Sequence, residues 1–179
     1  MNKKEFLKFC IYFYSGMGII SLLLVYWFNY WNYFKIDDNY LLGISYTSTI
    51  IFLSTLISFC TLKLKSGKKM VIEFKNMLPK LNKFEKFIVA FFSGTGEELL
   101  FRGFILPLTG LTISSFIFGL IHFPMKKHMR IWSFFALVMG FLLGIICEMT
   151  GSVLYPILAH IIINFIGFNI ISSFDKEKK

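Results

Sequence analysis

Five ionisable side chains fall inside stretches that are otherwise apolar: Glu97, Glu98, Arg102, His122 and His160. A charged side chain costs about 2.5–3.5 kcal/mol at the centre of a bilayer-spanning helix, so such residues are functional candidates by default. Glu98 and Arg102 are four apart, on one helical face, where pairing lowers the cost of burying both. Glu97 lies about 100° round the same helix with no partner on it, and an unpaired carboxylate in apolar surroundings suits a general base. His122 follows Phe118 by one turn, and His160 precedes Asn164 by one turn. Burying His160 and Asn164 without partners would be costly, so both should face the interior of a bundle.

A carboxylate beside an imidazole activates water, while a His and an Asn donate hydrogen bonds to a developing oxyanion. Converging from separate helices, these residues would be equipped for amide hydrolysis inside a membrane. Other proteolytic chemistries lack their residues: there is no H-E-x-x-H zinc motif, no G-x-S-x-G nucleophile and no pair of membrane aspartates. Glu97, His122 and His160 also form a His₂Glu set of the kind that binds catalytic zinc. A structural ion cluster of Glu97, Glu98 and Arg102 is the plain alternative, and the residues alone leave these readings open. His128 sits among Lys126, Lys127 and Arg130 and is expected to be solvated.

The elements that must position these groups are legible from the charge-free runs. The chain has 179 residues, 56% hydrophobic and only 16% charged. Residues 9–34, 39–62, 131–147 and 149–174 contain no Asp, Glu, Lys or Arg. A helix crossing a bilayer needs about 20 mostly apolar residues, so each run is long enough to cross or nearly so. Residues 84–123 are apolar apart from Glu85, Lys86 and the Glu97–Glu98–Arg102 set, and Pro107-Leu108-Thr109-Gly110 signals a turn within them. That stretch reads as two helices, the second short (111–123). The expected fold is an all-α polytopic membrane bundle of about six transmembrane helices.

The net charge is +9, yet charge is scarce, which argues against a soluble nucleic-acid binder. Of 19 basic residues, 17 fall in four segments: 3–8, 63–86, 126–130 and 176–179. Six helices put all four on one face, which the positive-inside rule makes cytoplasmic, with both termini there. Lys35 alone marks the other side, and Arg102 lies within the membrane. The expected setting is a multi-pass protein of the plasma membrane with its site opening toward the cytoplasm. If helices three and four both reached that face, Glu97 and His122 would be offset by up to roughly 10 Å at 1.5 Å per residue. Tilt, or a fourth helix continuing past Pro124, would then have to close the gap.

The first apolar stretch is too long for a signal-peptide h-region and lacks an A-x-A-like site, so a retained helix is expected. Residues 63–86 suit either an amphipathic helix on an anionic leaflet or a solvated loop. Gly94 and Gly96 would let another backbone approach, and Gly140 with Gly144 forms a G-x-x-x-G suited to packing within the bundle. Cys10, Cys60 and Cys147 suggest neither a disulfide framework nor a metal site. The chain divides into residues 1–83, with two helices and a basic linker, and residues 84–179, a four-helix motif-bearing core with a basic tail.

Glu97-Glu98-Leu-Leu-Phe-Arg102, Phe118-Gly-Leu-Ile-His122 and His160-Ile-Ile-Ile-Asn164 resemble the motifs E-E-x-x-x-R, F-x-x-x-H and H-x-x-x-N. They are those of the CPBP, or Abi, intramembrane proteases (CAAX protease and bacteriocin-processing proteins). That group includes type II CAAX prenyl endopeptidases and proteins similar to lysostaphin resistance protein A. The resemblance covers about half the chain, and its three motifs stand in order, each on its own helix. It implies that Glu97 and His122 activate water, that Glu98 and Arg102 support and orient, and that His160 and Asn164 form the oxyanion hole. It implies a membrane-associated peptide or protein tail as substrate and no cofactor, with the zinc set as the alternative. The competing functions are a non-enzymatic bacteriocin-immunity or membrane partner protein and a small proton-coupled transporter. Only two helices precede the motif core, fewer than in larger members.

Overall fold

The computed structural model describes residues 2–35, 40–124, 126 and 129–174. Within a bilayer every backbone N–H and C=O must be satisfied inside its own segment, so these apolar stretches fold as helices. The order is α1 Lys3–Phe28, α2 Tyr40–Lys63, α3 Lys65–Met77, α4 Lys83–Glu98, a π-helical stretch Leu99–Ile105, α5 Leu106–Ile121, α6 Arg130–Thr150 and α7 Leu154–Ser173. The described residues contain no strand. Five spans are long and apolar enough to cross a membrane: α1, α2, the continuous stretch Lys83–Ile121, α6 and α7.

The 39-residue stretch folds back on itself, as its turn signal predicts. Gly110 adopts φ 79°, ψ 169°, a conformation that a side chain would strain. Beyond it, Ser114 Oγ donates to Phe101 O at 3.3 Å, and the Phe118 ring lies edge-on to Phe101 at 4.8 Å. The return arm is short, and its eleven residues from Leu111 to Ile121 rise only about 16 Å, half a bilayer. It ends at the level of Glu97 rather than at the membrane face. This removes the anticipated offset between Glu97 and His122. Counted from the Gly110 turn, Glu97 lies 13 residues back and His122 lies 12 forward, so an antiparallel hairpin brings them level.

Absence of charge marks membrane segments but not helix ends. Although residues 9–34 carry no charge, α1 stops at Phe28, where Asn29 takes the left-handed conformation at φ 56°. Glu148 lies inside α6, which Gly151 terminates at φ 63°. Local chemistry sets the starts: Asn2 with Glu5, and Asn82 with Glu85, form reciprocal capping boxes at α1 and α4.

The basic segments gather at one end of the bundle. Lys3 pairs with Glu85 at 2.9 Å, Lys126 pairs with Glu73, and Lys75 Nζ donates to Phe174 O at 2.5 Å. At the opposite end Val153 N donates to Tyr33 O at 2.7 Å, joining the α1–α2 and α6–α7 connections. His128, Lys127 and the tail lysines lie outside the described residues. The 65–77 stretch is a helix docked beneath the bundle, burying Gly67 and Val71 and setting Phe74 edge-on to Trp132 at 5.0 Å.

The outer surface is apolar, and the interior mixes apolar side chains with small polar ones, an arrangement suited to a lipid solvent. Tyr12, Phe52, Phe116 and Phe134 are exposed, whereas Ser21, Ser54, Ser93 and Ser115 are buried. Glycines set the closest approaches. A Cβ on Gly94 would sit 2.9 Å from the Ile161 backbone nitrogen on α7, and one on Gly96 2.6 Å from the Tyr14 carbonyl on α1. Gly140 faces the Ser115 backbone and Gly144 faces Leu111, so the G-x-x-x-G packs α6 on α5 within the chain. Gly94→Val should therefore force α4 from α7, lowering stability by about 1–3 kcal/mol and separating Glu98 from His160. Thermal unfolding of the purified variant checks this, and an unchanged transition would contradict it.

Candidate active site

The three motifs meet at mid-depth. Glu97 is 14 residues along α4 from Lys83, about 21 Å at a helical rise. Glu97 and Glu98 close the regular part of α4, and the π-helical Leu99–Ile105 follows at once. Single π turns occur often at functional sites. Adjacent on the helix, the two carboxylates face different neighbours.

Glu98 points into the protein and is fully buried, with Arg102 beside it at 1% exposure. Its Oε1 accepts from Arg102 Nη1 at 2.8 Å and from His160 Nδ1 at 2.6 Å. Arg102 also donates through Nη2 to Gly140 O on α6 at 2.9 Å, and its guanidinium lies 4.8 Å over the Phe118 ring. Five elements thus meet on one buried ion pair. The Glu98–Arg102 pairing read from the i, i+4 spacing is present; the imidazole joining it comes from α7, beyond the reach of local spacing.

Glu97 faces the imidazoles. Its Oε2 stands 3.7 Å from His122 Nε2 and 3.9 Å from His160 Nε2, and has no hydrogen-bond partner among the described residues. Those separations exceed the 2.7–3.2 Å of a direct hydrogen bond and suit a small bridging molecule. Each imidazole is held from its far side. His122 Nδ1 donates to Phe118 O at 2.7 Å, because a carbonyl only accepts. In a neutral His122 this leaves the Nε2 lone pair toward Glu97. The same ring lies 4.5 Å from Phe118 and 5.0 Å from Trp132. His160 Nδ1 engages Glu98, which likewise turns its Nε2 toward Glu97.

Asn164 sits one turn below His160, and its Nδ2 donates to Ser93 Oγ at 3.0 Å. Ser93 is itself one turn before Glu97 on α4. The structure therefore brings Glu97, Glu98, Arg102, Phe118, His122 and His160 together, with Asn164 on the neighbouring rung. Two contributors escape motif reading. Ser93 occupies the i−4 position to Glu97, a signal available in hindsight. Tyr14, on α1, lies close enough to Glu97 to interact with it electrostatically, and Gly96 admits the α1 backbone there.

The donors of the zinc set also converge, but widely. Two ligands of a tetrahedral zinc, each about 2.0–2.1 Å from the metal, lie about 3.3–3.4 Å apart, closer than the 3.7 and 3.9 Å found here. Among the described residues no three His, Cys, Asp or Glu side chains are arranged to hold a metal ion. As they stand, the residues do not fit zinc.

With this geometry in place, comparison with known proteins adds a family. The profile of the type II CAAX prenyl endopeptidase Rce1-like proteins matches residues 81–166, from the α4 cap to just past Asn164. YpbD, an uncharacterized protein of Bacillus subtilis (strain 168), is 40% identical over 70 residues, which is 38% of this chain and 35% of YpbD. The matched region thus spans about a third of that relative's length. No solved structure matches the chain. The matched region contains all three motifs and the carboxylate–imidazole cluster they build, and over residues 81–166, just under half of its length, the chain is similar to the type II CAAX prenyl endopeptidase Rce1-like proteins.

Proposed function

We propose that this protein is an intramembrane endopeptidase that hydrolyses a peptide bond in a membrane-associated peptide or protein tail. The observation that carries this reading is the convergence of Glu97 Oε2 with the Nε2 atoms of His122 and His160. A water held between Glu97 and His122 gives a proton to Glu97 as its oxygen attacks the scissile carbonyl. Negative charge then builds on the carbonyl oxygen. With Nδ1 donating to Glu98, a doubly protonated His160 donates to it from Nε2, and the second N–H of the Asn164 amide joins it. As the C–N bond breaks, Glu97 returns its proton to the leaving amine, which restores the site. Glu98 and Arg102 hold His160 in register.

The reaction in this account is metal-free, a reading supported by the wide spacing of the three donors. The active site is reached from the basic end of the bundle, which we assign to the cytoplasm. The short return arm supports this, because α5 stops level with Glu97 and short of the basic end. Purified His122→Ala should cleave a membrane-anchored peptide about 10²–10⁴-fold more slowly than wild type, and o-phenanthroline should leave wild-type cleavage intact. Full activity in the variant would remove His122 from the mechanism. Loss of activity to the chelator, restored by zinc, would replace the metal-free account.

A further inference from the structure

Away from the active site, the basic end of the bundle holds a second polar feature. A cavity of about 390 Å³ opens between α4, α7 and the end of α3, with Lys75, Lys80, Lys86 and Ser172 on its polar side and Leu78 and Phe168 on its apolar side. Lys86 is the unusual member. It is only 8% exposed, and its Nζ donates to Asn169 Oδ1 at 3.0 Å and Ser172 Oγ at 2.6 Å, both neutral acceptors. Lys75 is similarly directed at a neutral group, the Phe174 carbonyl. The described acidic side chains on this face are engaged elsewhere: Glu5 with the Asn2 backbone, Glu85 with Lys3 and Glu73 with Lys126. A buried ammonium without a counter-charge among the described residues is costly, and the half-buried Lys75 adds a second positive charge to the same cavity.

We propose that this cavity is a headgroup site for an anionic phospholipid, with its phosphate taken by Lys86 and Lys75 and its proximal acyl carbons on Leu78 and Phe168. A phosphate supplies the missing charge and accepts short charge-assisted hydrogen bonds. The surroundings favour a lipid over a free anion. The cavity pairs cations with an apolar wall, and it lies at the basic end of the transmembrane helices, where headgroups sit and where basic pockets between helices bind them. Lys86 is 11 residues from Glu97 along α4, about 16 Å, so the site is separate from the catalytic cluster and does not depend on the proposed activity.

Native mass spectrometry of the purified full chain, titrated with dioleoylphosphatidylglycerol or dioleoylphosphatidylcholine, tests this. Wild type should retain the anionic lipid at least tenfold better. Lys86→Gln should reduce that preference to within twofold, Lys75→Gln should weaken it, and Lys86→Arg should keep most of it. Lys8→Gln and Lys65→Gln, exposed lysines outside the cavity, should leave it unchanged. A folded Lys86→Gln, judged by an unshifted thermal transition, that still prefers the anionic lipid would overturn the proposal. So would equal losses from Lys65→Gln, which indicate diffuse surface attraction, or full displacement by millimolar inorganic phosphate, which indicates a free-anion site. The acidic tail residues Asp175 and Glu177 are the other source of negative charge. A preference that emerges only in an Asp175→Asn/Glu177→Gln variant would give the cavity to the tail and overturn the lipid assignment.

Discussion

Glu97→Gln is expected to lower kcat/KM for peptide hydrolysis by about 10³-fold or more, leaving KM and thermal stability close to wild type. The substitution keeps the shape of the side chain and removes its ability to take a proton. Positioned general bases contribute about 10²–10⁴-fold, and a thousandfold loss is about 4 kcal/mol of transition-state stabilisation. Stability should hold because, among the described residues, Oε2 makes no hydrogen bond and Glu97 has no salt bridge to a lysine or arginine. A loss confined to kcat identifies an interaction made in the transition state rather than in substrate binding. Wild-type turnover by the glutamine variant would dismiss Glu97 as the base.

Arg102→Met is expected to act in the opposite sense, on the fold first. Arg102 is 1% exposed and makes bonds to Glu98 and to the Gly140 carbonyl while stacking over Phe118. Its removal leaves the fully buried Glu98 with one imidazole where it had an imidazole and a guanidinium. Breaking a buried pair by deleting one partner costs about 3–5 kcal/mol. For a chain this size each kcal/mol shifts the midpoint by about 2–4 °C, so Tm should fall by roughly 6–20 °C. Glu98→Gln in the same chain should recover part of that loss, because it removes the stranded charge; a non-additive double-mutant cycle is the signature. If Arg102→Met melts with wild type, the ion pair does not hold the helices together.

Much of this arrangement is written locally. Four charge-free runs and one interrupted run are enough to place the helices, since a bilayer leaves the backbone few alternatives. Three of the four lysine-rich segments, sorted to one side by counting helices, do meet at one end through Lys3–Glu85, Lys126–Glu73 and Lys75–Phe174, the fourth lying outside the described residues. Glu98 with Arg102 follows from a four-residue spacing. What escapes is set by backbone conformation or by distant packing. Asn29 and Gly151 end helices through left-handed conformations that the charge pattern does not mark. The Leu99–Ile105 π-helix has no compositional mark. The half-length return arm was legible as short, yet its consequence, placing His122 level with Glu97, emerges only when residues are counted from Gly110 rather than from the membrane face. Tyr14 and Ser93 reach the site through helix–helix contacts, and the His160–Glu98 bond joins residues 62 apart in the chain.

The central claim is that Glu97 and His122 deliver a water to a peptide bond. The most direct measurement incubates the purified protein in bilayer discs with membrane-anchored peptides in H₂¹⁸O and reads the products by mass spectrometry. The account predicts endoproteolytic products from wild type carrying one ¹⁸O in the new carboxyl group, and none from Glu97→Gln. Equal product from wild type and the glutamine variant, or no product from folded wild type across prenylated and unprenylated peptides, would contradict it.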